Sequence, residues 1–341
     1  MGQQDFALAE FLWYLFLMHK AKKKIKIGVL RGGLSCEHKV SLKTGESVLA
    51  NLSDKYEKYD IVINSDGQWY LNGIVSSPQA ALASVDLIFN ALHGNYGEDG
   101  KIQQLFTLAK VPYTGSKVMA SALGMNKMLA REAFQKDGLK VPEGIIIDSS
   151  EKFNNHLEHF LKRLAPAWVV KPNSSGSSMG VSIINKFNDL QKAIKKAAKF
   201  SREILIEGKI EGREAACGVV ENFKGKKYFA LPVIEIIPPK KNKFFDYNAK
   251  YGGKSQEICP AEFSSEITKK IQEMAIKAHK AIGCRHYSCT NFIVSKKEIY
   301  VLEINTLPGL TDESLLPKAL KTIRVSYSDF LIHLVKLGLT D

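Results

Sequence analysis

The chain has 341 residues, of which 45% are hydrophobic and 24% are charged, and it carries a formal net charge of +13. This composition excludes a wholly disordered or collagen-like chain, and the length predicts two or three domains. The basic balance favours anionic partners such as nucleic acid, a membrane surface or phosphorylated small molecules, but a lysine-rich solvated surface explains it equally well. The five cysteines form no C-x-x-C pair and are odd in number, which favours a reducing, cytoplasmic compartment over a disulfide framework.

Residues 1–24 differ from the rest of the chain. Phe6 to Met18 is mostly apolar and is followed by a basic run that ends at Lys24. A signal peptide carries its charges before its apolar stretch, so this order does not predict one. An interfacial helix with a basic flank is one interpretation, but we favour a dispensable extension, with Met18 as an alternative start. No run of 18 apolar residues occurs in the sequence, and we expect no membrane-spanning helix.

From residue 25 onward, short apolar runs alternate with helical patterns. The first strands are predicted at residues 25–30, 61–63 and 85–90. This rhythm is typical of a parallel, Rossmann-like α/β sheet, which we assign to an N-terminal domain of residues 25–115. Two loops that follow strands, residues 31–38 and 93–100, are rich in glycine and polar residues. Ligands bind at such strand ends in open α/β sheets.

A central unit is expected at residues 116–212. Its strands are predicted at residues 168–171, 181–184 and 204–207. A helix before them carries His156 and His159, which could bind zinc but which more often form part of a solvated helix face. The remaining residues, 213–341, are predicted to form an α+β unit. Its strands, helix and hairpin are predicted at residues 215–220, 228–237, 264–282 and 291–305.

The segment KPNSSGSSMG, residues 171–180, lies between two predicted strands. Small residues let the backbone approach phosphate oxygens, and successive N–H groups bind anions. The segment is not a Walker A loop, because it does not open a helix and its lysine precedes the glycines. It is either an ordinary hairpin loop or a loop that covers a bound nucleotide.

Oxygen-bearing side chains meet in the predicted C-terminal hairpin. Glu303 and Asn305 are two residues apart and therefore point to the same face of their strand. A hairpin centred near residue 297 places Asn291 opposite Glu303, within one register step. Such hard oxygen ligands suit Mg²⁺ rather than zinc, although three polar residues on a half-buried sheet are the plainer interpretation. The next turn contains Gly309, whose unobstructed N–H could stabilise an oxyanion.

Together and in this order, these segments resemble the D-alanine–D-alanine ligase family of the ATP-grasp superfamily, over residues 25 to about 335. The resemblance rests on five motifs: HGNYGEDG at 93–100, KPNSSGSSMG at 171–180, FDYNAKY at 245–251, CPA at 259–261 and EINTLPG at 303–309. It implies an ATP-grasp fold and ATP-dependent ligation of two D-alanines through an acyl phosphate, for peptidoglycan precursors. It also implies Mg²⁺ or Mn²⁺ and a cytoplasmic enzyme, commonly a homodimer, with no nucleic-acid or membrane partner.

The resemblance gives the matching positions roles toward the two amino acids. Glu37, with His93 close by, would bind the ammonium of the first D-alanine. Gly309 would donate an oxyanion N–H, and Ser314 would bind the carboxylate of the second D-alanine. Three residues would form a hydrogen-bonded triad over the substrates: Glu37, Ser177 and Tyr251. The implied catalytic residues are Glu37, Ser177, Tyr251, Gly309 and Ser314.

The resemblance also gives roles toward the nucleotide and the metal. The implied nucleotide-binding residues are Lys127, Lys171, Ser177, Glu207, Glu214 and Lys250. Among them, the lysines would bind phosphates, and the two glutamates would contact adenine and ribose. The implied metal ligands are Asn291, Glu303 and Asn305.

Two positions depart from the family pattern Arg-x-Asp, because this chain has Cys289 and Asn291 there. The missing arginine would stabilise an oxyanion, and one such donor contributes about 3 kcal/mol. An asparagine can ligate a metal through its carbonyl oxygen, but with one negative charge fewer. Arg285 is near in sequence, but the sequence does not show whether it reaches the site.

Two alternatives therefore accompany the ligase interpretation. One is a nucleotide-binding homologue whose ligation is impaired, and the other is an ATP-grasp ligase for a different amino-acid pair. A basic nucleic-acid-binding module would explain the net charge but none of the motifs.

Overall fold

The computed structural model describes residues 24–150, 155–164, 166–238 and 256–340, which fold into three β-sheets with helices packed on them. The sheets follow one another along the chain. Within this part of the chain, every helix is too short or too polar to cross a lipid bilayer.

The N-terminal sheet has five strands in the order β4-β3-β2-β1-β5. They are Lys26–Gly32 (β1), Glu57–Ile63 (β2), Trp69–Leu71 (β3), Ile74–Ser76 (β4) and Leu87–Asn90 (β5). Because β1 pairs in parallel with both β2 and β5, the predicted parallel α/β sheet is confirmed. Strands β3 and β4 add an antiparallel edge that the sequence did not predict, since three-residue strands show too little alternation. The helices of this region and of the connection that follows are His38–Asn51 (α1), Pro78–Ala83 (α2), Lys101–Leu108 (α3), Val118–Met125 (α4) and Lys127–Lys136 (α5).

The central sheet has four strands in the order β6-β9-β7-β8. They are Gly144–Asp148 (β6), Trp168–Pro172 (β7), Ser182–Ile184 (β8) and Glu203–Gly208 (β9). Strands β7 and β8 form the predicted hairpin. Residues 173–181, here called the serine-rich loop, connect them. Two helices, Asn155–Leu164 (α6) and Leu190–Ala197 (α7), pack on this sheet.

The C-terminal sheet has six strands, ordered β13-β12-β10-β14-β15 with β11 paired to β10. They are Arg213–Phe223 (β10), Lys226–Ala230 (β11), Ile234–Ile237 (β12), Gln256–Ile258 (β13), Tyr287–Val294 (β14) and Ile299–Asn305 (β15). The single strand predicted at residues 228–237 is wrong, because the chain leaves β11 before Pro232, which has no backbone N–H to pair. The helices are Ser265–Ile282 (α8), Leu315–Thr322 (α9) and Tyr327–Leu339 (α10).

Helix α8 begins and ends as its sequence predicts. The Ser264 hydroxyl accepts a hydrogen bond from the N–H of Ile267 at 3.3 Å, which caps the first turn. Gly283 ends the helix with a φ of 71°, a left-handed conformation that favours glycine. The helix predicted over residues 264–282 is therefore confirmed.

The N-terminal and C-terminal sheets share one apolar core. Side chains from β1 and β5 pack with side chains from β10, β14, α9 and α10, among them Val29, Phe89, Val220, Tyr287 and Phe330. Helices α4 and α5 pack against the opposite face of the C-terminal sheet. The central sheet has a core of its own, formed by buried residues between 157 and 206, with Ile145 and Ile147 of β6 packed against it. The domain limits predicted at residues 115 and 212 stay predictions.

Arg285 also joins the N-terminal and C-terminal units. Its guanidinium donates hydrogen bonds to the carbonyls of Gly115 and Tyr113, both at 3.0 Å. Its Cζ lies 5.0 Å from the centre of the Tyr113 ring, within the range of a cation–π contact. Burial lowers the pKa of Arg285. The Arg285 side chain therefore stabilises the contact between the N-terminal and C-terminal units.

Replacing Arg285 with methionine should lower the free energy of unfolding by about 2–3 kcal/mol, because two hydrogen bonds from a charged donor are lost. Urea denaturation measures this as a lower midpoint at an unchanged slope. The control is Arg202→Met, since the Arg202 side chain is 78% exposed. That change should alter stability by less than about 0.5 kcal/mol. Equal losses in the two variants would contradict the role of Arg285.

Candidate active site

Two cavities meet where the three sheets approach one another. The larger, of about 460 Å³, lies between the central and C-terminal sheets. The smaller, of about 140 Å³, lies where loops of the N-terminal unit face the turn after β15. The side chain of Asn291, on β14, lines both cavities. Molecules bound in the two cavities would therefore be neighbours.

A buried charge cluster lines one side of the larger cavity. Lys171 and Glu207 lie on the paired strands β7 and β9, and the Lys171 ammonium donates a hydrogen bond to the Glu207 carboxylate. Arg131, on α5, donates to the other oxygen of Glu207 and to the carbonyl of Pro142. All three charged side chains are buried. Because a buried charge needs partners, the two cations hold the Glu207 carboxylate in one orientation.

Arg131 is a member of this cluster that sequence reasoning missed. It lies four residues after Lys127, so the two cationic side chains share one face of α5. The four-residue spacing of these two basic residues was the feature of the sequence that could have identified Arg131. It did not distinguish Arg131 because basic pairs four residues apart also occur on solvated helices.

Lys127 connects three parts of the larger cavity. It is the first residue of α5, whose N-terminus is capped by Asn126 through a 3.0 Å hydrogen bond from the N–H of Leu129. The Lys127 ammonium donates to the carbonyl of Ser175 at 2.7 Å and lies 3.3 Å from Oε2 of Glu303. Lys127 thus places a buried positive charge between the serine-rich loop and the end of β15.

The serine-rich loop crosses from the central sheet to the N-terminal unit. The Ser177 hydroxyl donates a hydrogen bond to the carboxylate of Glu37, which lies just before α1. A Cβ at Gly176 would lie 2.6 Å from Oε2 of Glu37, so a side chain there would displace this contact. Ser177 and Ser178 have φ values of 49° and 55°, which non-glycine residues adopt at a cost. The loop is therefore held in a specific conformation against Glu37.

Polar groups from two units face each other across the smaller cavity. His93 follows β5, and its Nε2 lies 2.9 Å from the hydroxyl of Thr44. Burial lowers the pKa of His93, which favours the neutral imidazole. On the opposite side, the Ser314 hydroxyl accepts a hydrogen bond from the N–H of Thr311 at 3.1 Å. A Cβ at Gly309 would lie 2.8 Å from the Ser314 hydroxyl, so a side chain there would displace this hydroxyl.

Glu98 is a second residue that sequence reasoning missed. It lines the smaller cavity and accepts hydrogen bonds from the N–H of Gly94 at 2.7 Å and of Leu307 at 3.3 Å. Its carboxyl group therefore links the N-terminal loop to the turn after β15. Burial, together with the nearby Glu37 carboxylate, raises the pKa of Glu98 to about 8. The HGNYGEDG motif contained Glu98, but the motif alone does not show which of its two acidic residues points inward.

The paired strands β14 and β15 place three oxygen-bearing side chains at the junction of the cavities. Asn291 is directly opposite Glu303, as the sequence predicted, and Cys289 is opposite Asn305. The Asn291 amide donates to Glu303 at 3.3 Å, and the Asn305 amide donates to the carbonyl of Cys289 at 3.5 Å. The carbonyl oxygen of Asn291 is buried and has no hydrogen-bond partner among the described residues. Such an oxygen suits a hard cation.

Most of the predicted site residues lie on the walls of the two cavities. The larger cavity is lined by Lys127, Lys171, Glu207, Glu214, Asn291 and Glu303. The smaller cavity is lined by Glu37, His93, Ser177, Asn291, Asn305, Gly309 and Ser314. Lys250 and Tyr251 lie outside the described residues. Arg285 lines neither cavity, so it does not supply the cation that Cys289 lacks.

Comparison with known proteins agrees with this architecture. Two family models match: "D-ala D-ala ligase N-terminus" over residues 26–81 and 72–116, and "D-ala D-ala ligase C-terminus" over residues 133–336. A D-alanine–D-alanine ligase of Syntrophobacter fumaroxidans is 41% identical over 320 residues, which cover 94% of this chain and 99% of that protein. One of Geotalea uraniireducens is 42% identical over 313 residues, covering 91% and 94%.

Solved structures show the same fold. The VanG D-Ala:D-Ser ligase of Enterococcus faecalis superimposes with a TM-score of 0.79 at 30% identity, covering 93% of this chain and all of that one. The D-alanine–D-alanine ligase of Bacillus anthracis complexed with ATP gives 0.76 at 29% identity, covering 93% and 98%.

The fold and the charged cleft between its sheets define an ATP-grasp enzyme, and its class is that of ATP-dependent ligases. The chain belongs to the D-alanine–D-alanine ligase family. The fold class and the family expected from the sequence are confirmed, and the two alternative functions are not favoured.

The raised pKa of Glu98 predicts a pH-dependent stability. The folded protein retains a proton on Glu98 that the unfolded chain releases above its ordinary pKa of 4.5. The contribution of Glu98 to the free energy of unfolding is therefore fully present below about pH 4.5 and is lost as the pH rises through about 8. At about 1.36 kcal/mol for each pKa unit, the shift from 4.5 to about 8 corresponds to a loss of about 5 kcal/mol.

Glu98→Gln should flatten the pH dependence of the unfolding free energy between pH 5 and 8. A pH-independent change in stability caused by the amide itself would not affect this slope. Denaturant titrations at several pH values measure the slope. Glu132→Gln, at an exposed position on α5, is the matched control and should keep the wild-type slope. An unchanged slope in the Glu98 variant would contradict the buried, protonated carboxyl.

Proposed function

We propose that this ligase joins two D-alanines to D-alanyl-D-alanine, with ATP in the larger cavity and the amino acids in the smaller one. The observation that carries the proposal is the position of Asn291, which lines both cavities. A phosphate group at the inner end of the larger cavity would there be next to an amino-acid carboxylate. Phosphoryl transfer between the two would need no movement across solvent.

We assign the charged residues of the larger cavity to the nucleotide. Lys127 and Lys171 would bind phosphate oxygens, and the small residues of the serine-rich loop would let backbone N–H groups approach them. Glu207, fixed by Lys171 and Arg131, would accept a hydrogen bond from the adenine amino group. Glu214, on β10, would contact the ribose.

Magnesium, or manganese, fits the side chains at the junction of the cavities. Glu303 and the carbonyl oxygens of Asn291 and Asn305 would hold the ion, and the unpartnered oxygen of Asn291 supports this assignment. When bound, the ion would neutralise phosphate charge and orient the triphosphate. Asn291 contributes no charge of its own, so the ion would bind less tightly than at a site with a second carboxylate.

We assign the smaller cavity to the two amino acids. Glu37 would bind the ammonium of the first D-alanine, and Ser177 would hold Glu37 in place. Gly309 would donate its N–H to the oxyanion, and Ser314 would receive the carboxylate of the second D-alanine. Neutral His93, close to Glu37, would add a hydrogen bond without adding charge.

The proposed reaction has two bond-forming steps. The carboxylate of the first D-alanine attacks the γ-phosphate, which gives an acyl phosphate and ADP. The second D-alanine, having released one ammonium proton to solvent, attacks the acyl carbon through its amine. The tetrahedral intermediate then expels phosphate, which carries away the second proton from the nitrogen. Walls that keep bulk water out would protect the acyl phosphate from hydrolysis.

A cytoplasmic homodimer, as expected from the sequence, is part of the proposal. Sedimentation tests the dimer, and cell fractionation tests the location.

Incubation of the full chain with ATP, Mg²⁺ and D-alanine should release ADP and D-alanyl-D-alanine in equal amounts. Coupled ADP release and mass spectrometry measure the two products. L-alanine is the control and should give neither. Binding of ATP without dipeptide formation would overturn the proposal in favour of a nucleotide-binding homologue.

Cys289 and Asn291 replace the arginine and the aspartate of the family pattern, so we expect slow ligation. Substituting both positions together should accelerate it. Their side chains point to one face of β14, so Cys289→Arg with Asn291→Asp adds two opposite charges side by side. The double variant should have a kcat higher by about 10²–10³, because it gains an oxyanion donor and a stronger metal ligand. Each single variant should gain less, since it leaves one new charge unpaired. No gain in the double variant would contradict the roles assigned here.

A further inference from the structure

The smaller cavity carries an excess of negative charge. Four glutamates line it, of which Glu98 holds a proton and Glu313 is 94% exposed, and no lysine or arginine does so among the described residues. They are Glu37, Glu98, Glu257 and Glu313. The proposed function nevertheless requires an amino-acid carboxylate to bind beside Ser314. A cation held just outside the wall would offset the repulsion between the ionised glutamates and this carboxylate.

Lys318 is a cation in contact with that wall. Its ammonium lies 2.8 Å from Oε2 of Glu257 and 3.7 Å from Oε2 of Glu313. The Glu257 side chain is only 11% exposed, and that of Lys318 is 34% exposed. The charge of Lys318 is thus directed toward the cavity and is partly shielded from solvent.

The helix geometry places Lys318 near Ser314. Lys318 lies one turn after Ser314 in α9, and its N–H donates to the Ser314 carbonyl at 3.3 Å. Side chains on a helix lean toward its N-terminus, which here is the end at the cavity. The first two residues of α9, Leu315 and Leu316, also line the cavity, and the Ser314 side chain does not cap the helix. The first-turn N–H groups of α9 therefore lie beside the same position.

We propose that Lys318 binds the carboxylate of the second amino acid, and that Glu257 positions Lys318 for this contact. A lysine ammonium has three hydrogen-bond donors, so it can keep Glu257 and accept a second carboxylate. Lys318 is then a specificity-determining residue that selects α-amino acids over amines at the second position. The inference rests on the proposed function, because it takes the smaller cavity as the amino-acid site.

The test compares Lys318→Met with the wild type in steady-state ligation at varied D-alanine, which separates the KM values of the first and second sites. The KM of the second site should rise about tenfold to a hundredfold, the value of one charged hydrogen bond. The KM for ATP and that of the first site should not change. Lys318→Arg should restore most of the affinity, and Lys321→Met, at an exposed position on the same helix, should behave as wild type.

A substrate change isolates the contact from a general structural effect. When D-alaninamide replaces the second D-alanine, the Lys318→Met variant and the wild type should show the same KM, because the amide carries no negative charge. Thermal unfolding of the variant should match the wild type to show that it folds. An unchanged second-site KM in a folded variant, or an equal loss with D-alaninamide, would overturn the role of Lys318. Absence of dipeptide in the wild type would instead overturn the proposed function.

Discussion

The pairing of β14 with β15 is the constraint on which the rest of the site depends. Its register puts Asn291 opposite Glu303 and Cys289 opposite Asn305, at the point where the two cavities meet. A shift of one residue would turn these side chains to the apolar face that packs against α8. The buried apolar residues of both strands therefore fix the position of the polar ones. Chemistry at this junction is set by packing several residues away.

Charge balance differs between the two cavities. The larger cavity contains cations that are already partly neutralised, since Lys171 and Arg131 share Glu207 and Lys127 lies near Glu303. Four basic and five acidic side chains of the described residues line it, so individually placed cations rather than a net positive charge would bind a polyanion. The smaller cavity is acidic, which suits ammonium groups and keeps a buried carboxyl protonated at Glu98. Among the described residues, lysine and arginine line the larger cavity and not the smaller one, which matches a triphosphate on one side and ammonium groups on the other.

Local sequence predicted elements whose signals are local. Ser264 and Gly283 marked the ends of α8, and the spacing of Glu303 and Asn305 predicted one shared face. The broken strand at Pro232 and the short β3 and β4 were missed because their residues show too little periodicity. Arg131, Glu98 and Lys318 were missed for another reason. Their partners are distant in sequence, and only the folded chain brings them together.

The distribution of apolar cores determines how the molecule can move. The N-terminal and C-terminal sheets share a core, whereas the core of the central sheet is made of its own residues. The contacts that cross to that sheet include polar ones: Ser177 with Glu37, Lys127 with Ser175, and the buried ion pair of Arg131 with Glu207. Movement of the central sheet against the rest would therefore break polar contacts, including a buried ion pair, but would leave both apolar cores intact. Opening between the sheets would give substrates access to the two cavities.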